Sequence, residues 1–138
     1  YITTDQREIA RILLRLKNKL EAAVETFSFY ELLSADESDT LIIAYGVTAR
    51  AAESVYQELK SAGQTVRLLI LKTLWPVPEN VIRRAAENMK RVVVVEMNLG
   101  QYVREIERIL GEKKVDFCGQ MDGWLISPDK IKEAVKNG

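Results

Sequence analysis

Apolar residues fall along this chain in two patterns that take turns, helical spacing and short unbroken runs. Ile9, Ile12, Leu13, Leu16, Leu20 and Val24 fall at helical spacing, which predicts a long amphipathic helix over 5–25. Thr3 and Gln6 stand three apart ahead of it, the spacing of a capping box. Phe27, Phe29, Tyr30, Leu32 and Leu33 then read as a short aromatic strand over 27–33. Residues 41–45 form a continuous apolar run, the mark of a strand covered on both faces. A helix over 49–61 follows, with Ala52, Val55, Tyr56 and Leu59 inward and Gly63 as its left-handed stop. A strand over 66–71 comes next, and Pro78 can open a helix carrying Val81, Ile82, Ala85 and Met89. Four consecutive valines give a strand over 91–96. Asn98 and Gln101 cap a helix through Val103, Ile106, Ile109 and Leu110. A short strand over 115–118, a turn at Asp122-Gly123 and a helix begun by Ser127-Pro128, through Ile131 and Val135, complete the pattern.

Strands separated by helices imply βαβ crossovers, hence an α/β domain with a mostly parallel sheet and helices on both faces. Its 138 residues suit a single domain spanning 1–138, with 1–26 as a leading helix packed on or beside it. There is no internal repeat. The chain opens at Tyr1 without an initiator methionine, which suggests a piece of a longer protein.

Charge and composition narrow the function by exclusion. Lys plus Arg total 20 and Asp plus Glu total 20, so no global field draws the chain to nucleic acid or to an acidic membrane. No apolar run approaches the roughly 20 residues that span a bilayer. With Arg7, Arg11, Arg15, Lys17 and Lys19 in the first helix, no signal peptide and a cytoplasmic location are expected. Histidine is absent, which removes the commonest general base and metal ligand. Cys118 is the only cysteine, too few for a disulfide, a zinc site or an iron–sulfur cluster, and a buried inert thiol is its expected state. Asp36, Glu37 and Asp39 make an acidic turn that lacks the spacing of a calcium loop. The strands over 41–45 and 66–71 end without the aspartates of a phosphoacceptor domain.

In such sheets, sites form at the carboxyl ends of strands where strand order reverses. Two loops there mix polar groups with one glycine between a strand and a helix. One carries Tyr45, Gly46, Thr48 and Arg50; the other carries Glu96, Asn98, Gly100 and Gln101. They could cradle an anion or cofactor at a helix N-terminus. A single glycine per loop falls short of a dinucleotide or Walker motif, however. In the second reading the glycines serve turns, Thr48 and Asn98 cap helices, and Glu96 and Arg50 face another protein surface. Trp75, beside two prolines, is expected in packing or an interface, and Trp124 in the core. No catalytic, metal-binding or cofactor-binding residue emerges.

Three segments carry a resemblance. Ala44-Tyr45-Gly46-Val47-Thr48-Ala49-Arg50-Ala51, Leu71-Lys72-Thr73-Leu74-Trp75-Pro76-Val77-Pro78-Glu79 and Val95-Glu96-Met97-Asn98-Leu99-Gly100-Gln101 closely resemble the α subunit of 2-oxoacid:ferredoxin oxidoreductases, most of all the 2-oxoglutarate synthase type. Val77 departs from that family, which usually has phenylalanine there. The resemblance implies a three-layer α/β/α, transketolase C-terminal-like domain with a five-stranded mixed sheet, order 1-3-2-4-5. Strand 1, over 27–33, would be antiparallel, and the two loops would share one crevice.

The implied parent converts a 2-oxoacid, CoA and oxidised ferredoxin to acyl-CoA, CO₂ and reduced ferredoxin. It uses thiamine diphosphate, Mg²⁺ and iron–sulfur clusters, none of them held by this segment. The implied partners are the N-terminal domain of the same subunit, the β subunit and, through the complex, ferredoxin. Within the same fold the alternatives are the C-terminal domain of a transketolase or of a pyruvate dehydrogenase β chain. From another class, the alternative is a free-standing α/β binding module.

Overall fold

In the computed structural model, residues 3–34 and 37–137 are described. Asp36 of the expected acidic turn lies outside them. The elements run α1 (Gln6–Phe27), β1 (Tyr30–Leu33), β2 (Thr40–Tyr45), α2 (Thr48–Ser61), β3 (Arg67–Leu71), α3 (Glu79–Ala85), β4 (Arg91–Glu96), α4 (Tyr102–Leu110), β5 (Lys114–Gly119) and α5 (Pro128–Lys136). The sheet has the order β1-β3-β2-β4-β5. β1 is antiparallel to β3, with Tyr30 opposite Leu71, and the other pairings are parallel. The expected three-layer mixed-sheet architecture is present.

Strand alternation divides the core into two. Leu41, Ile43, Leu69, Leu71, Val92 and Val94 face α3 and α4, meeting Val81, Ile82, Val103, Ile106 and Ile109. Ile42, Ala44, Leu68, Ile70, Val93 and Val95 face α2 and α5, meeting Ala52, Val55, Leu59 and Ile131. Both faces of β2 and β4 are covered, which is why their sequences are unbroken apolar runs. At the amino edge the Arg91 guanidinium binds the Asp116 carboxylate and donates to the carbonyls of Val135 (2.8 Å) and Ala134 (2.6 Å), tying the end of α5 to β4.

Helix ends show where local pattern and structure part. Gly63, at φ +73°, stops α2 as expected, with the Gln64 amide reaching back to the Leu59 carbonyl at 2.9 Å. Ser127 caps α5 through the Lys130 amide. The Thr3–Gln6 box does not cap α1: Asp5 does, accepting from the Glu8 amide at 2.9 Å, while Thr3 accepts from the Asp5 amide. α1 also runs through Phe27, so the aromatic strand shortens to Tyr30–Leu33; Ser28 Oγ closes the helix on the Val24 carbonyl at 2.6 Å. α3 ends at Ala85, and Asn88 at φ +62° turns the chain so that Met89 is buried from outside the helix. α1 has no buried residue, and its apolar stripe is open.

Candidate functional site

The sheet order sets β2 beside β4, so the loops after these strands meet at the carboxyl edge. Glu96, the last residue of β4, is 0% exposed. Its carboxylate accepts the Tyr45 hydroxyl at 2.7 Å, the Tyr102 amide at 3.0 Å and the Val103 amide at 2.9 Å. The two amides open α4, so Glu96 supplies the negative cap that a helix N-terminus favours. The expectation that Glu96 faces another protein is corrected here, because its charge is spent inside the domain.

Tyr45 links the two loops. Its hydroxyl donates to Glu96 and accepts from Asn98 Nδ2 at 2.9 Å, and its ring meets Tyr102 edge-on at 5.3 Å between centroids. Burial, followed by the Glu96 carboxylate, raises the Tyr45 pKa well above the usual phenol range; burial does the same for Tyr102. Asn98 does not cap α4 directly. Its Oδ1 accepts from the amides of Gly100 (2.8 Å) and Gln101 (3.0 Å), which folds the loop before the helix. Gly100 sits at φ +83° in that fold, where a Cβ would meet Val103 Cγ1 at 3.2 Å.

Thr48 begins α2 but makes no cap bond to it. Its hydroxyl lies 2.8 Å from the Tyr45 carbonyl and 3.1 Å from the Val95 carbonyl, so it pins β2 to β4. Gly46, at φ +57°, makes the turn between them. Tyr45, Thr48, Glu96, Asn98, Gly100 and Gln101 are thus brought into one bonded unit. Arg50 stays outside it, exposed on α2 beside a depression it shares with Glu31, Glu53 and Lys72.

What this edge presents outward is apolar. Val47, Leu99, Met121, Trp124 and Leu125 are all exposed, on the loops that follow the neighbouring strands β2, β4 and β5. Trp124, expected in the core, is 76% exposed. The Asp122-Gly123 turn, with Asp122 accepting the Trp124 amide at 3.0 Å, holds the loop out, and Ile126 is the residue that enters the core. Sequence reading did not find this row, nor Tyr102. The available signal was negative: large apolar residues in loops where no period assigns them a core face.

Acid–base or metal chemistry has little to draw on here. Among the described residues no group of three or more His, Cys, Asp or Glu could hold a metal ion. Cys118 is buried, and burial raises its thiol pKa. This donor set does not fit an iron–sulfur cluster. Among the described residues, no helix is long and apolar enough to cross a membrane.

Known proteins resemble this chain in sequence and in fold. The family model of the pyruvate:ferredoxin oxidoreductase core domain II matches residues 38–131. A 2-oxoglutarate synthase subunit KorA of Archaeoglobus fulgidus is 35% identical over 136 residues, covering 97% of this chain and 37% of the relative. A ketoisovalerate oxidoreductase subunit VorB of Methanothermobacter thermautotrophicus is 30% identical over 135 residues, covering 98% of this chain and 38% of the relative. The chain therefore spans well under half the length of the curated relatives it matches.

Among solved structures, a 2-oxoglutarate:ferredoxin oxidoreductase from Magnetococcus marinus superposes with a TM-score of 0.83 at 22% identity, over 98% of this chain and 24% of that one. A split-gene transketolase superposes with a TM-score of 0.67 at 18% identity, over 79% and 40%. Both likenesses are of fold. The match over 38–131, more than half of the chain, establishes that it belongs to the pyruvate:ferredoxin oxidoreductase core domain II family.

Proposed function

We propose that this domain is the docking domain of the α subunit of a 2-oxoacid:ferredoxin oxidoreductase of the 2-oxoglutarate type. In that reading the parent couples oxidative decarboxylation of a 2-oxoacid to acyl-CoA formation and ferredoxin reduction in the cytoplasm. Thiamine diphosphate, Mg²⁺, the iron–sulfur clusters and CoA are held by other domains and subunits. The one observation that carries the docking role is the row of exposed apolar side chains at the carboxyl edge. Val47, Leu99 and Trp124 crown loops whose polar groups are already bonded to one another. A rigid, apolar, prearranged surface suits a permanent contact with another folded domain. The same subunit's N-terminal domain or the β subunit is its partner.

The test uses the intact subunit with its partners, purified without oxygen. Leu99→Asp, Trp124→Ser and Arg50→Ala are each introduced. Co-purification of the β subunit and 2-oxoacid- and CoA-dependent viologen reduction are then measured beside thermal unfolding. Loss of assembly or turnover at an unchanged Tm supports the reading. Normal assembly and turnover in all three variants would overturn the docking role.

A further inference from the structure

The edge strand of the sheet braces a loop to which it does not belong. β5 ends the strand order, and its last residue, Gly119, stands opposite Glu96 at the carboxyl edge. Phe117, two residues earlier, lies on the same face of the strand. A Cβ on Gly119 would sit 2.7 Å from Phe117 Cε2 and nearer still to Cζ and Cε1. The ring therefore leans along β5 and occupies the place of the missing side chain. Gly119 has no positive φ, so glycine serves room there rather than conformation.

The same ring reaches the loop after β4. Its Cε2 and Cζ come 3.8 Å from where a Cβ on Gly100 would stand, so the ring flanks this second glycine as well. Gly100 is buried, while its neighbour Leu99 is 70% exposed in the apolar row. From the β2 side, Asn98 ties the loop to the Tyr45 hydroxyl; from the β5 side, the ring closes on it. An aromatic ring laid over an edge glycine pins a strand, and here two glycines on neighbouring segments share one ring. We propose that Phe117 is a positioning residue for the docking edge: its ring, seated on Gly119 and against Gly100, holds the loop after β4 so that Leu99 is presented to the partner domain. This rests on the docking role given above and adds the residue that sets the geometry of that contact.

The test uses Phe117→Ala, Gly119→Ala and the two combined. In the 138-residue chain, amide exchange is followed at Gly100 and Gln101, whose amides are bonded to Asn98, and at Val93 and Val94 in β4. Each single variant should speed exchange at Gly100 and Gln101 about tenfold relative to the β4 amides, as a local opening. A general loss of stability would move both sets alike. The double variant should be no faster than Phe117→Ala, because the three atoms nearest to the added methyl all belong to the ring. In the intact subunit with its partners, both single variants should lower 2-oxoacid- and CoA-dependent viologen reduction about tenfold, as a misplaced contact does. An unchanged exchange ratio in Phe117→Ala, or effects that add in the double variant, overturns the proposal. So does normal turnover of both single variants when Leu99→Asp fails to assemble, since docking then stands without the ring. Normal assembly of Leu99→Asp would instead remove the docking role, a failure that the exchange ratios, read without any partner, keep distinct from this one.

Discussion

At Glu96 a carboxylate taken fully out of water is compensated by three donors, two of which α4 cannot satisfy within itself. Glu96→Gln keeps the shape but turns an NH₂ toward an amide or a hydroxyl, setting donor against donor. It should cost about 2 kcal/mol of stability, the scale of a charge-assisted hydrogen bond lost in burial. Tyr45→Phe removes one donor of three and should cost about 1 kcal/mol. Denaturant unfolding of the two variants checks the ranking; a Glu96→Gln domain as stable as the parent would remove Glu96 from the cap. Gly100→Ala meets both a positive φ and the close Val103 methyl, and should lose about 1 kcal/mol or more by the same measurement.

Among the elements, α1 and α4 mark the limits of what sequence conveys. Helical spacing of apolar residues placed the main helices, and unbroken apolar runs placed β2 and β4, because a strand covered on both faces buries every residue. Sheet order came from resemblance, since no local pattern states which strands are neighbours. Tyr45, Thr48 and Asn98 were legible as neighbours at the carboxyl edge because polar groups between a strand and a helix have a known place there. The role of Glu96 was not legible, because it caps amides six and seven residues ahead and does so only once α4 folds back over the end of β4. Trp124 was misplaced because size and hydrophobicity argue for the core, whereas its backbone is fixed outward by an Asx turn. α1 reads as amphipathic whether or not anything covers it. Replacing Leu13 and Leu16 by Gln should therefore change the stability of this chain by no more than about 0.5 kcal/mol, as for surface sites. Ile106→Ala on the buried face of α4 should cost about 2–5 kcal/mol. Parallel thermal or urea melts of the two variants test that contrast between an open and a filled helix face.

For the whole molecule, the Tyr45–Tyr102 pair makes stability sensitive to alkali. Both phenols titrate above their ordinary range in the folded domain, chiefly because burial disfavours the phenolate. In the unfolded chain they titrate near pH 10. A raised folded pKa means that the contribution is fully present below the unfolded value and is lost as pH climbs toward the folded one. Above about pH 10 the unfolded chain releases protons that the folded one retains. Each tyrosine then lowers unfolding free energy by up to about 1.4 kcal/mol per pH unit, with Tyr45, the less buried, giving less than this limit. Urea midpoints should be flat from pH 8 to 9.5 and should fall from pH 10 to 11.5. Tyr45→Phe, starting lower, should fall less steeply because one of the two linked protons is gone. A variant with an undiminished slope would place the alkaline sensitivity elsewhere, outside the junction that joins β2, β4 and α4.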